Sequence, residues 1–354
     1  MLNQLEPDGL VRAFVAFPPA GFLTTDLNTG VPAFETRFDL LTTASLSVRT
    51  RVRALPLYRH WQKVLLPKTL FVGTTVSEYV WFDRDTLPQE FIGKLKNDVA
   101  PRYPILIIRD IPQNSPLLGV LENTYADAIV SEADAAGFVI VQGQALAYVP
   151  IDFDSIEMYL SRLSAARRKN LRRKLRARSE LEVEVLPTGA AAFDNAYLRA
   201  RLYGLYLNVY QQSELKFDLL SPEFLTSLLR AQDDRGIVFM YRHNSELIGY
   251  NLCYVRDDRL VDKYIGFAYP HARQLNLYFV SWLHNLEYAL KNGLKTYVAG
   301  WTDPQVKMEL GARFTFTRHA VYVRNRALRA ILRATSTQFE SDRTWRDVAK
   351  PDHS

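Results

Sequence analysis

Residues 260–300 read LVDKYIGFAYPHARQLNLYFVSWLHNLEYALKNGLKTYVAG, and this stretch decides the fold. Its opening completes RLVDKYIGF (259–267), a short run rich in β-branched and aromatic residues that reads as a strand. A helical segment follows over 272–292 and stops at Gly293, a residue suited to the left-handed position just past a helix end. KTYVAG (295–300) returns to strand. A strand, a crossing helix and a second strand place 259–267 and 295–299 parallel.

Upstream, IVFMYR (237–242) and ELIGYNLCYVR (246–256) are strands joined through His243-Asn244 and Asp257-Asp258, an antiparallel meander leading into 259–267. The parallel pair is therefore set inside an otherwise antiparallel sheet. LEVEVLP (181–187) alternates as a strand, and helices are expected over 191–212 and 222–232, the second announced by Ser221-Pro222-Glu223. Asp154 and Glu157 resemble a capping box, and Ile156, Leu160, Leu163, Leu171 and Leu175 make one apolar stripe, so a single helix is expected over about 154–178. Downstream, RFTFTRHAVYVR (313–324) is a last strand, followed from Asn325 by a short basic helix and a polar tail. The N-terminal half offers strands LSVRTRVRA (46–54), TLFVG (69–73) and YPILIIRD (103–110), a helix from Pro88, and a longer helix from Ser115-Pro116 to Gly137. GFVIVQG and ALAYVP then read as strands on either side of a turn at Gly143. The class is mixed α/β of the α+β kind.

At 354 residues the chain suggests two domains, drawn at 1–150 and 151–330 with a tail at 331–354. An apolar share of 48% and a charged share of 23% exclude a disordered, collagen-like or coiled-coil chain. One cysteine, Cys253, excludes a disulfide framework and a multi-cysteine metal site. The net charge of +6 is local: nine basic and no acidic residues lie between Arg162 and Arg178, and without them the remainder carries −3. This is not the spread charge of a general nucleic-acid coat. Arg12, Pro18 and Pro19 break the apolar run Leu10–Phe22, so no secretory leader is expected. No window approaches a spanning length, and the expectation is a cytoplasmic protein.

The element order, with the basic helix SRLSAARRKNLRRKLRA (161–177), the 260–300 stretch and PQVKMELGARF (304–314), resembles the GNAT acyltransferase superfamily. The resemblance is narrower to the branch of FemAB-type peptidoglycan transferases and CelD/BcsL-like acetyltransferase domains. It covers about 155–325; the first half fits as the degenerate copy of a tandem pair of GNAT-like mixed sheets flanked by helices. The resemblance implies that two parallel strands splay to receive the pantetheine arm of an acyl donor, and that the following helix turns its N-terminus to the donor's diphosphate. Here that segment holds His271, Ala272, Arg273, Gln274 and Asn276, without the glycines usual in the superfamily, beside the reading of an ordinary helix entry with a surface arginine; Tyr278, one turn after Gln274, is a candidate to flank the donor, beside that of a core aromatic.

Asp262 and Tyr264, two apart on strand 259–267, are expected on one face. Asp262 is the candidate base for the acceptor amine, beside the ordinary reading of a structural ion pair. Tyr264 is the candidate proton donor to the leaving group, beside that of a packed aromatic. Lys307 before Leu310-Gly311 is a candidate anion contact, beside the reading of a solvated lysine, and Trp301 is expected to shape the acceptor side. Arg168, Lys169 and Arg172 match the branch's basic pattern and are candidates for an anionic substrate, carrier or tRNA, beside that of a solvated face. His271, His284 and His319 lack metal-ligand spacing, and no metal or resident cofactor is expected. Three functions stay open. The first is N-acyl transfer from acyl-CoA to a small or carrier-bound amine, by direct attack. The others are FemAB-like transfer from aminoacyl-tRNA and non-catalytic anion or nucleic-acid binding through the basic helix.

Overall fold

The computed structural model describes residues 1–41, 50, 51, 54, 58, 62–213 and 216–335. Of the strand expected at 46–54 only residues 50, 51 and 54 are described, the first two helical and the third in a turn, and the tail beyond 335 lies outside the described residues. In chain order the elements used below are α1 (Asp8–Ala16), β1 (Leu23–Thr25), β2 (Ala33–Arg37), β3 (Lys68–Val72), α2 (Pro88–Lys94), β4 (Ile105–Gln113), α3 (Val120–Ala135) and β5 (Val139–Pro150). They continue with α4 (Ile156–Ser161), α5 (Ala165–Lys174), β6 (Glu182–Pro187), α6 (Ala196–Gln212), α7 (Pro222–Arg230), β7 (Gly236–His243), β8 (Glu246–Arg256) and β9 (Arg259–Phe267). Last come α8 (His271–Gln274), α9 (Leu277–Lys291), β10 (Thr296–Gly300), α10 (Pro304–Glu309), β11 (Arg313–Val323) and α11 (Arg326–Thr335).

The chain divides into two compact units, and neither is a continuous segment. The first comprises Met1–Gln4, Gly21–Leu146 and Thr315–Ser354; the second comprises Leu5–Ala20 and Ala147–Phe314. The boundary therefore does not fall at one point near residue 150. β5 and β11 each begin in one unit and end in the other, so each unit's sheet takes a strand from the other half of the sequence.

In the first unit the strand order is β1-β2-β3-β4-β11-β5. β3 and β4 are parallel from Thr69/Ile105 to Val72/Ile108 and then part. The gap is filled by the unit's own chain: the backbone turns at Gly73 (φ 109°) and brings the Val80 N–H to the Asp110 carbonyl at 3.1 Å. Leu70, Val72, Leu106, Ile108, Ile129 and Phe138 form the centre of its core. The turn expected at Gly143 is absent, and residues 139–150 are one strand. Glycine serves a different need there, since a Cβ at Gly143 would stand 2.1 Å from the Thr317 hydroxyl on β11. The helix expected from Ser115 starts at Val120. Ser115 instead lies in the preceding loop, tied through its N–H and carbonyl to the side chain of Asn123 at 2.8 and 3.0 Å.

In the second unit the order is β5-β10-β9-β8-β7-β6. β7, β8 and β9 form the expected antiparallel meander, with Asn244-Ser245, one residue later than read from sequence, as the first turn. β9 and β10 are parallel, as the crossing helix requires. α9 covers one face; α6 and α7 cover the other. A Cβ at Gly266 would meet the Tyr206 backbone N at 2.8 Å, so glycine here lets α6 sit directly on β9.

Two long helices read from the sequence are broken. The 154–178 segment is α4, then α5, then a tight turn over Leu175–Glu180; Ser164 restarts the helix by accepting the Arg167 N–H at 3.4 Å. Within α4 the cap is Ser155, accepting from Met158, rather than Asp154. The 272–292 segment is the single turn α8 followed by α9, because Asn276 takes the left-handed conformation (φ 52°). The expected end at Gly293 holds (φ 67°).

Burial pushes two imidazoles below their ordinary value. His319 accepts the Asp110 N–H at 2.9 Å, and His284 packs against Phe239, with ring centroids 4.9 Å apart. A histidine that binds its proton more weakly folded than unfolded adds stability above the unfolded pKa, roughly 6.5, and loses it as pH falls through that value. Urea unfolding is therefore expected to show stability declining below about pH 6.5, by up to roughly 1.4 kcal/mol per pH unit for each histidine. His284→Asn and His319→Asn should each flatten the decline; an unchanged slope in both variants contradicts this.

Candidate active site

The ladder between β9 and β10 holds for three pairs, Arg259/Thr296, Leu260/Tyr297 and Val261/Val298, and goes no further. β9 runs on to Phe267, so from Asp262 onward it is no longer paired with β10. Gly300 (φ 81°) ends β10, and a Cβ there would lie 3.8 Å from the Asp262 carbonyl and 3.9 Å from Lys307 Nζ.

Lys307 is 4% exposed, and its Nζ donates to the carbonyls of Ala299 and Gly300 at 2.6 and 3.1 Å. It is neither a solvated lysine nor a distant one. α10, begun by Pro304, folds back and delivers an ammonium to the last carbonyls of β10, where the strands part.

The Asp262 carboxylate is held from several sides. Asn251 Nδ2 donates to both oxygens at 3.2 and 2.9 Å; Asn285 Nδ2 and the Tyr297 hydroxyl donate to Oδ2 at 3.0 and 2.9 Å; the Cys253 thiol donates to Oδ1 at 3.5 Å. Burial raises the Asp262 pKa, against the pull of the Asn251, Tyr297 and Cys253 hydrogen bonds and the charge of Lys307. The same burial, with the Asp262 charge beside them, pushes the Cys253 thiol and the Tyr297 phenol well up. Cys253 is thus a protonated thiol in the core.

Asp262 and Tyr264 do not share a face. Cys253 pairs with Asp262 and Leu252 with Tyr264, so two consecutive β8 residues oppose three of β9, and Lys263 is the extra residue of a bulge. The bulge cancels the two-residue alternation. Asp262 turns to α9, where Asn285 lies. Tyr264 turns to α7, its ring edge-on to Phe224 at 5.9 Å.

The expected diphosphate segment is a four-residue turn rather than the start of a long helix. His271, Arg273 and Gln274 are exposed, and Ala272 is buried. Arg273 donates to Gln212 and lies over the Tyr269 ring at 5.0 Å. Tyr278, in the first turn of α9, buries a hydroxyl that has no hydrogen-bond partner among the described residues; burial raises its pKa. Trp301 is part-buried directly after β10.

Of the basic candidates, Arg168 is spent on the end of α4, donating to Ser161 and Leu163 carbonyls at 3.3 and 3.0 Å, and Arg172 pairs with Glu157 at 2.5 Å. Lys169 is exposed. Lys174 lies 3.4 Å from the centre of the Phe279 ring, which places α5 against the start of α9. Asn251, Asn285 and Tyr297 were not singled out by the sequence reading. The available signal was a polar residue inside an apolar run, as in LIGYNLCYV and SWLHNLEYAL.

A parallel pair that parts within a mixed sheet, beneath a crossing helix, is the GNAT-like arrangement of acyl- and aminoacyl-transferases. The sequence pattern of the FemAB-like family, described as peptidoglycan biosynthesis/recognition, matches residues 108–346, and the chain belongs to that family. Among solved structures, the chain is similar to L-PGS from Bacillus licheniformis, with 10% identity over 96% of this chain and 98% of that one and a TM-score of 0.54. FemX has 10% identity over 94% and 96%, with a TM-score of 0.54. The C-terminal DUF2156 domain of an Agrobacterium fabrum protein described as a lysylphosphatidylglycerol synthetase has 12% identity over 92% and 90%, again at 0.54. At such identities these likenesses establish the fold. No curated protein sequence matches the chain. No helix among the described residues is long and apolar enough to cross a membrane.

Proposed function

We propose that the chain transfers an acyl or aminoacyl group from an activated carrier to an amine, at the opening between β9 and β10. The observation that carries this is the parting of the parallel pair after Val261/Val298 in a FemAB-like chain, while the corresponding gap of the first unit is filled by its own backbone. The β9 edge from Asp262 offers N–H groups to a donor carbonyl, and the Lys307 charge favours the oxyanion that forms when the amine attacks directly. Asp262, saturated with donors, fixes the side chains around the opening and favours positive charge nearby. Tyr264, on the α7 face, has no part in the reaction.

Acyl-CoA is the first donor of this reading, with Arg273 and Lys307 as the cations near its carrier. Aminoacyl-tRNA is the second, favoured by Lys169, Arg173 and Arg176 on the α5 side, which are exposed and pair with no carboxylate among the described residues. The test is a thermal-shift panel with acetyl-CoA, longer acyl-CoAs and aminoacyl-tRNA, followed by transfer to lysine amide. A donor at one hundred times its Kd should stabilise the fold by about 2.7 kcal/mol. Absence of stabilisation and transfer with every donor overturns the reading. Binding that weakens steeply with salt selects tRNA.

A further inference from the structure

We infer that Tyr159, on α4, is a positioning residue for Lys307: its hydroxyl fixes the end of α10, the helix that delivers the Lys307 ammonium to the last carbonyls of β10. The inference rests on the proposed function in assigning Lys307 to the developing oxyanion. The Tyr159 hydroxyl donates to the carbonyl of Leu310, just past the end of α10, and accepts the indole N–H of Trp282 on α9 at 3.0 Å. Tyr159, Trp282 and Leu310 are all buried. Gly311 makes the approach possible. It takes the left-handed conformation (φ 86°), and a Cβ there would stand 3.0 Å from Leu163 Cδ2 and 3.9 Å from the Tyr159 hydroxyl. The Leu310-Gly311 step of the sequence is thus the seat on which the α4 segment meets α10.

α10 needs such a tie. Six residues are too few for a helix to hold itself in water, and the last carbonyls of any helix have no partner within it. Lys307 ties the middle of α10 to β10, and Tyr159 ties its end to α4. Trp282 joins this tie to the Asp262 side of the opening: its ring lies edge-on to Tyr297, with centroids 5.1 Å apart, and the Tyr297 hydroxyl donates to Asp262. Loss of the Tyr159 hydroxyl takes this partner from the Leu310 carbonyl and the Trp282 N–H, both buried, and frees the end of α10 to turn toward water. That movement draws Lys307 off the Ala299 and Gly300 carbonyls. A small displacement of a group that meets developing charge costs rate and leaves donor binding largely intact.

The experiment compares wild type, Tyr159→Phe, Lys307→Met and the double variant Tyr159→Phe/Lys307→Met. Tyr159→Phe is expected to lower kcat about tenfold or more, with the donor KM within about threefold. In the Lys307→Met background the same substitution is expected to change kcat less than about twofold, because its effect passes through Lys307. A kcat for Tyr159→Phe near the wild-type value overturns the inference, as does a full tenfold drop in the Lys307→Met background. Lys307 is also read directly, by its rate of acetylation with acetic anhydride under native conditions, followed by peptide mass. Tyr159→Phe is expected to acetylate Lys307 about five times faster or more, while Lys263, whose side chain is 7% exposed on β9, stays within about twofold. An unchanged Lys307 rate overturns the inference, and so does an equal rise at both lysines, the mark of general loosening. Should Tyr159→Phe not fold, Trp282→Phe, which removes the donor to the phenol and keeps an aromatic ring, is expected to acetylate Lys307 about threefold faster; a wild-type rate there overturns the inference. Wild-type protein inactive with every donor refutes the proposed function and leaves Lys307 acetylation to judge Tyr159.

Discussion

Lys307→Met is expected to reduce group transfer by about 10²–10³-fold, the loss seen when a donor to a developing oxyanion is removed. It is also expected to lower the unfolding free energy by about 2–4 kcal/mol. Both effects have one origin. Methionine matches the length of lysine but donates nothing, so the Ala299 and Gly300 carbonyls lose the group that satisfies them. The Asp262 carboxyl loses a positive charge that favours its ionised form. Urea unfolding and release of the free carrier measure the two effects separately. A variant that keeps full turnover would place the reaction away from the opening; one that loses less than about 1 kcal/mol would show that Lys307 does not hold the end of β10.

Asp262→Leu is expected to destabilise the chain by about 3–5 kcal/mol, because it strands the Asn251 and Asn285 amides and the Tyr297 hydroxyl in the core. Asp262→Asn should fall between it and the wild type, since one oxygen still accepts while the new amide faces donors. Transfer should fall in both variants, because the side chains around the opening lose their common anchor. Thermal melts of the three proteins give the ranking. Equal melting temperatures would mean that the carboxylate organises nothing.

The parallel pair was legible in the sequence because its signals are local: turn residues between the meander strands, a crossing helix and a glycine where that helix ends. The bulge was not. One extra residue leaves the spacing of Asp262 and Tyr264 unchanged in sequence and appears only when β8 is laid alongside. The helix breaks were half legible. Ser164 and Asn276 are residues that stop and start helices, but the leucine stripe and the long apolar run outweighed them in a reading by periodicity. Lys307 was found from its place before Leu310-Gly311, while its burial needed the fold.

The strand exchange bears on how the protein is made. β11 is an inner strand of the first unit, between β4 and β5, yet it lies far downstream of both in the sequence. When Leu146 leaves the ribosome, the first unit has two strands with no neighbour between them. Its missing strand emerges on the order of ten to thirty seconds later at a synthesis rate of about 5–20 residues per second. The unit that holds β1–β4 thus receives its last strand only after the strands of the second unit have been made. A message cut between the halves yields two fragments, each with an incomplete sheet.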